Sequence, residues 1–146
     1  MALKRSFSLD EVNALVPSLD SVFQRLGMLR KEIAARANEV ERLGFKPAMT
    51  RAEEIPEPVV ERQRIIDARV ADFQAEVDKI EAMGGFLKDL DLGLVDFPAE
   101  RDGPPAHWCW QYGEPAVTHY HPPGAEFGAR RPIGGDEDPG RLMGKP

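Results

Sequence analysis

A chain of 146 residues with a formal net charge of -6 and a pI near 5.1 is long enough for one domain core and too short for two. The acidic charge argues against nucleic-acid binding, which needs a basic face, and no apolar run approaches the roughly 20 residues of a membrane span. One cysteine excludes an internal disulfide, and the chain starts with an amphipathic helix instead of an apolar secretory segment, so we expect a cytoplasmic protein.

The first predicted element is a long helix over residues 7–43. Ser8 and Glu11 have the spacing of a capping box, in which each side chain accepts a hydrogen bond from the other residue's amide. Pro17 lacks an amide hydrogen and clashes with the preceding turn, so we expect it to kink the helix or to split off a first piece ending near Leu15. One apolar stripe then follows the helix at steps of three, four and seven residues: Leu19, Val22, Leu26, Leu29, Ile33 and Val40.

A second long helix is predicted over residues 58–83, after a proline-rich connector at 44–58. Its apolar stripe has the same spacing: Val59, Ile66, Val70, Phe73, Val77 and Ile80. The two stripes predict an antiparallel helical hairpin with near-heptad seams. Because few other core elements remain to cover helices of this length, we expect the hairpin to bury a face against a second copy, as a homodimer.

From Leu87 onward the apolar period changes to that of strands. Three segments between 87 and 121 predict a small antiparallel meander: 90–98, 106–112 and 116–121. Residues 134–146 have too little apolar content to fold and are expected to be a disordered tail. The predicted fold class is therefore α+β, a long antiparallel helical hairpin packed on a small three-stranded antiparallel β-meander, in one domain over residues 1–133.

The residue types that carry chemistry are concentrated between His107 and His121, where all three histidines, the cysteine, both tryptophans and both tyrosines fall. These types ligate metals, exchange protons near neutral pH and stack on ligands, so any chemistry is expected here. The alternative is packing. In that case Trp108 and Trp110 form an aromatic face that lies on the helices, and Cys109 is a small buried side chain.

The parity of the loop between the last two predicted strands decides whether a metal site exists, because side chains alternate along a strand. An odd loop at 113–115 brings the two faces together, and two cross-strand pairs then offer four zinc ligands: Cys109 with His119, and His107 with His121. An even loop puts the two halves on opposite faces and removes the site. Pro115 suits neither kind of turn, so both registers stay open.

A polar cluster is the other candidate site in this part of the chain. Glu114 and His121 lie near strand ends, where they are expected to converge with Asp96 and with Arg130 or Arg131. Carboxylate, imidazole and guanidinium groups together support acid–base chemistry or hold an anion.

A series of motifs gives a family resemblance over nearly all of residues 6–133. The segments that carry it are Ser8 to Pro17, Leu87 to Pro98, Cys109-Trp110, Gly113 to Pro115, Tyr120-His121 and Phe127 to Ile133. In this order they resemble the bacterial family called domain of unknown function 2203, which has no assigned activity. The resemblance implies a set of motif positions: Asp89, Gly93, Asp96, Phe97, Pro98, Cys109, Trp110, Gly113, Glu114, His121 and Arg130. His107 and His119 fall outside that set, which weakens the four-ligand zinc patch, and Tyr120 stands where the family usually has a tryptophan.

The sequence therefore predicts a non-enzymatic binding or scaffold module with a polar site around Glu114 and His121, which recognises an undetermined small ligand or a protein partner. The candidate ligand-binding residues are Asp96, Trp110, Glu114, His121 and Arg130. The alternative is a metal-dependent or acid–base enzyme that uses His121 with Glu114, Asp96 or Cys109. In that alternative Cys109 and His121 are the candidate ligands of a metal, with zinc as the cofactor.

Overall fold

The structure is a computed structural model that describes residues 5–45, 54–123 and 130–134. The predicted tail, Gly134 apart, and the connector residues 46–53 lie outside the described residues. Two compact units make up the chain: unit 1 holds residues 1–23 and 79–146, and unit 2 holds residues 24–78. Neither of the two described helices has an apolar stretch of the length that crossing a membrane requires.

Helix α1 spans Leu9–Arg42 and begins at the predicted capping box. The Ser8 amide donates to Glu11 Oε1 over 2.9 Å, and the Glu11 amide donates to Ser8 Oγ over 3.1 Å. The helix continues through Pro17 without interruption, so the prediction that a first piece splits off near Leu15 is wrong. Pro17 lies on the exposed side of the helix, where water can bind the carbonyl that loses its helical partner.

Helix α2 spans Glu57–Ala82. Unit 2 contains a helical hairpin formed by α1 from residue 24 onward and by α2 up to residue 78. Arg62 of α2 donates from Nε to Glu39 Oε1 of α1 over 2.9 Å, which ties the two helices together. Three stripe positions in this unit are buried: Leu26, Leu29 and Val59. Val70 is 50% exposed although it belongs to the same apolar stripe. The seam of unit 2 is therefore only partly covered within one chain.

Unit 1 is built on a five-stranded antiparallel sheet in the order β1-β2-β3-β4-β5. The strands are β1 Phe86–Asp89, β2 Leu94–Pro98, β3 His107–Gln111, β4 His119–His121 and β5 Arg131–Pro132. The α+β class is confirmed, but the predicted number of three strands is wrong. The predicted first strand at 90–98 consists of the turn between β1 and β2 followed by β2, and β1 precedes it. Asp89 Oδ1 accepts the Leu92 amide over 2.8 Å in that turn, and Gly93 has a φ of 71°, which favours glycine.

One face of the sheet forms the core of unit 1. It presents alternate residues of three strands, all of them buried: Val95, Phe97, Trp108, Trp110 and Tyr120. The Phe97 ring meets Phe7 with centroids 5.2 Å apart, and Trp110 meets Phe23 of α1 at 5.8 Å. Trp108 Nε1 also donates to the Phe7 carbonyl over 2.8 Å. Trp110 therefore lies against α1, whereas the hydrogen bond of Trp108 goes to Phe7, which precedes that helix. The opposite face of the sheet is left for a site.

The register of β3 and β4 resolves the alternatives that Pro115 left open. His107 pairs with His121, and Cys109 pairs with His119, as the odd loop requires. Strand β3 ends at Gln111, one residue earlier than predicted, and β4 begins only at His119. The Val117 amide donates to Asn13 Oδ1 of α1 over 2.7 Å instead of continuing the ladder. All three histidines and the cysteine therefore lie on one face.

Candidate functional site

Three side chains from three neighbouring strands converge on the face opposite the aromatic core. Asp96 belongs to β2, His107 to β3 and His121 to β4. Asp96 pairs with Cys109, which lies two residues along β3 from His107, the partner of His121. Because these residues occupy alternate positions of adjacent strands, their side chains leave the sheet on the same side. We call Asp96, His107 and His121 the Asp–His–His cluster.

The Asp96 carboxylate is the centre of this cluster. Its Oδ2 lies 3.0 Å from His121 Nε2, 3.9 Å from His107 Nδ1 and 3.8 Å from Lys88 Nζ. One ligand atom from each of the three cluster residues falls within 4.8 Å of the others. Ligands held about 2.1 Å from a tetrahedral zinc ion lie about 3.4 Å apart, so small side-chain rotations bring the cluster to that spacing.

Hydrogen bonding fixes the orientation of the His121 ring. Its Nδ1 lies 2.6 Å from the Pro122 carbonyl oxygen, which only accepts, so Nδ1 carries the proton and donates it. The other nitrogen, Nε2, then faces the Asp96 carboxylate either as a second N–H or with a lone pair turned towards a bound cation. A backbone carbonyl behind the distal nitrogen is the usual support of a histidine that ligates a metal.

The Asp96 carboxylate is buried yet held in its charged form. Burial raises its pKa. The hydrogen bond with His107, the charge and hydrogen bond of His121, and the charge of Lys88 all lower it, and together they outweigh burial, so the pKa is lowered overall. The residue is 3% exposed, and among the described residues its Oδ1 has no hydrogen-bond partner. A buried anionic oxygen without a partner is costly for a fold, and a cation bound at the cluster would satisfy it.

Glu114 and Arg130 form a second pair instead of joining Asp96 and His121. Arg130 Nη2 donates to Glu114 Oε2 over 3.0 Å and to the Cys109 carbonyl over 3.4 Å. Glu114 Oε1 also accepts the Gln111 amide over 2.8 Å. The pair thus closes the loop after β3. The predicted cluster of four side chains is therefore split into two pairs.

The remaining predicted site residues occupy packing positions. Trp110 is fully buried, and its Nε1 donates to the Glu114 carbonyl over 3.0 Å, so its ring is not accessible to a ligand. Arg131, the alternative to Arg130, lies on the edge strand β5 and is exposed. Cys109 lies between the two polar pairs and is 1% exposed, but it does not belong to the set of converging ligand atoms.

Cys109 is expected to be unreactive in the folded protein. Burial raises the pKa of its thiol from 9.0 to about 12, and the Asp96 charge adds to this, whereas Arg130 acts in the opposite direction. Because a thiolate is the reactive form, an aromatic disulfide reagent at pH 8 is expected to leave native Cys109 unmodified and to titrate one thiol per chain in denaturant. Rapid stoichiometric reaction of the native protein would contradict this. Below about pH 9 the thiol is protonated in both the folded and the unfolded state, so its raised pKa does not change stability. As the pH rises from about 9 towards 12, only the unfolded thiol ionises readily, so stability is expected to fall.

Two members of the site environment fall outside the motif positions that the family resemblance implies. His107 is the partner of His121 in the odd register, and that pairing is the sequence signal that points to it. The position of Lys88 beside the cluster could not be predicted from the sequence, because the pairing of β1 with β2 has a bulge just before Asp89. His119 is on the same face but bonds to Thr118 Oγ1 over 2.9 Å, and burial followed by the Arg130 charge lowers its pKa.

The chain was compared with known families, curated proteins and solved structures. A family model described as "Uncharacterized conserved protein (DUF2203)" matches residues 5–133. No match was found among the curated proteins or among the solved structures.

Proposed function

Since this chain belongs to the DUF2203 family of uncharacterized conserved proteins, as its motifs indicated, we propose a function from its own site: it is a metal-binding protein that holds one divalent transition-metal ion, zinc in the first place, at Asp96, His107 and His121. The observation that carries the proposal is the convergence of three ligand atoms within 4.8 Å. Two imidazoles and one carboxylate suit zinc, iron, cobalt or nickel, and three protein ligands leave at least one coordination position open.

Three further observations support a cation at this position. The Asp96 carboxylate is ionised, its Oδ1 has no partner among the described residues, and the Pro122 carbonyl orients His121. Glu114 supports the proposal less than the sequence suggested, because its side-chain oxygens already accept from Arg130 and the Gln111 amide. We therefore centre the binding function on Asp96 and His121 rather than on Glu114.

Zinc calorimetry on matched histidine variants tests the proposal. The wild-type protein is expected to bind one zinc ion per chain. His107→Ala is expected to weaken binding by at least about tenfold, since it removes a ligand. His119→Ala is the matched control, because His119 lies on the same face outside the Asp–His–His cluster, and its affinity is expected to stay near that of the wild type. Absence of zinc binding in the wild type, or an equal loss in both variants, would reject the proposed site.

We also propose that unit 2 forms a homodimer. Val70 is 50% exposed and borders an almost wholly apolar recess lined by Ile33, Ala34 and Phe73. A twofold interface needs a patch that fits a copy of itself, and a projecting apolar side chain beside an apolar recess has that property. Arg30 is the one charged residue among the described residues that line the recess.

Sedimentation of two lysine variants tests the dimer. The wild type is expected to sediment at twice the 16.3 kDa chain mass, and Val70→Lys is expected to sediment as a monomer, because it buries a charge in the interface. Ala68→Lys is the control, since Ala68 is exposed and points to the other side of α2. A wild-type monomer at working concentration, or dissociation by Ala68→Lys alone, would contradict the proposed interface.

A further inference from the structure

A cavity of about 710 Å³ opens beside the Asp–His–His cluster. Its wall is mostly apolar and includes Phe86, Pro98 and Ala106, while Arg5 and Glu81 supply charge. This volume lies in the range of pockets that bind small organic molecules.

His107 connects this cavity with the cluster. It lines the cavity, and the Phe86 ring stacks on one side of it at 6.0 Å, while the His121 ring meets it edge-on at 5.7 Å. The His107 side chain is 20% exposed, against 4% for Asp96 and 1% for His121. The accessible side of the cluster is therefore the side that faces the cavity. A further ligand of a metal bound here must arrive from the cavity.

The electrostatic environment of that side favours an anion. Lys88 Nζ lies 3.8 Å from Asp96 Oδ2, so its ammonium group stands beside the atom that would ligate the metal. A bound divalent cation adds two further positive charges against the single charge of Asp96. Lys88 is not one of the residues that line the cavity, but an oxygen anion bound to a metal beside Asp96 Oδ2 would lie near the Lys88 ammonium.

We propose that this cavity binds a small organic carboxylate with an apolar chain, whose carboxylate completes the coordination of the metal next to Lys88 and whose chain lies against Phe86, Pro98 and Ala106. This inference rests on the proposed metal site. The mostly apolar wall favours an amphipathic acid over a sugar or a nucleotide, which would need several hydrogen-bonding groups along the wall.

Cobalt(II)-loaded protein provides the test, because visible absorption reports on the ligands of the metal. Octanoate, acetate and octanol are titrated separately. Octanoate is expected to change the spectrum and to bind at least about tenfold more tightly than acetate, the gain from burying roughly two methylenes. Octanol is expected to leave the spectrum unchanged, since it brings no anion. If cobalt bands appear but octanoate leaves them unchanged, this inference fails while the metal site stands. If no cobalt bands appear, the metal site itself fails.

Two variants separate the contribution of the Lys88 charge from that of the contact with the apolar chain of the ligand. Lys88→Met keeps most of the side-chain length and removes the charge, so it is expected to weaken octanoate and acetate alike, by about tenfold, through loss of a charge-assisted contact. Phe86→Ala is expected to weaken octanoate but not acetate. Lys31→Met, an exposed lysine of α1 in unit 2, is the control and is expected to change neither. Equal octanoate binding in wild type and Lys88→Met, or an equal effect of Lys31→Met, would overturn the proposal.

Discussion

Asp96→Asn is expected to lower zinc affinity by at least about hundredfold, because it removes the charged ligand, and loss of outer supports alone already costs 10-fold to 100-fold in other metal sites. Asparagine has the shape of aspartate, so it preserves the packing of a residue that is 3% exposed. The neutral amide offers no anionic oxygen to a cation and places a donor or an uncharged acceptor towards His121 Nε2. Zinc calorimetry measures the effect, and circular dichroism establishes that the variant is folded.

Glu114→Gln is the matched control for this prediction. It makes the same change from carboxylate to amide in the other polar pair of the same sheet face. Its zinc affinity is expected to stay within about threefold of the wild type. Glu114 lies outside the cluster and its charge is already paired with Arg130, so the loss of that charge has little effect on the binding of a cation. Its stability is expected to fall, because Arg130 loses a partly buried ion pair. If Asp96→Asn binds zinc normally, or if Glu114→Gln loses as much affinity, the cluster is not the metal site.

Trp108→Ala is expected to cost about 3–5 kcal/mol of unfolding free energy, the usual cost of truncating a buried aromatic residue. Trp108 is 1% exposed and lies in the middle strand of the sheet, and its Nε1 donates to the Phe7 carbonyl. The truncation therefore leaves a cavity and also removes one of the hydrogen bonds that tie Phe7 to the sheet. A loss of this size is a large fraction of the stability of a typical domain.

Urea unfolding of a graded series tests this second prediction. Trp108→Phe keeps most of the ring volume and loses the indole donor, so an intermediate cost of about 1–3 kcal/mol is expected. Leu92→Ala is the control, since Leu92 is 45% exposed in the β1–β2 turn, and a change within about 0.5 kcal/mol is expected. A cost of Trp108→Ala below about 1 kcal/mol would show that the aromatic face is not the core of unit 1.

Much of the fold follows from local patterns in the sequence. The capping box at Ser8 and Glu11 and the three-four stripes predict both helices, because those patterns depend on the chain's own geometry. The number of strands could not be predicted from such patterns, since β5 has only two residues and is too short to show an alternation. The Leu90, Leu92 and Leu94 alternation has the period of a strand but belongs to a turn, which the side chain of Asp89 stabilises.

The candidate site was less predictable because it depends on contacts between strands. The sequence left two registers open at Pro115, and the odd one is accompanied by a hydrogen bond from Val117 in the loop to Asn13, which is distant in the sequence. Charge complementarity alone predicted that Glu114 and Arg130 join Asp96, but the two carboxylates find separate partners. Cross-strand pairing with His121 brings His107 into the Asp–His–His cluster, and no single motif encodes that pairing.

X-ray absorption at the zinc edge of the loaded protein tests directly whether Asp96, His107 and His121 hold the metal. We expect a coordination shell of nitrogen and oxygen only, at about 2.0–2.1 Å, with the outer scattering of two imidazole rings. The His119→Ala variant is expected to give the same spectrum. A sulfur neighbour at about 2.3 Å, which would place Cys109 on the metal, or a shell without imidazole scattering would contradict the site formed by Asp96, His107 and His121.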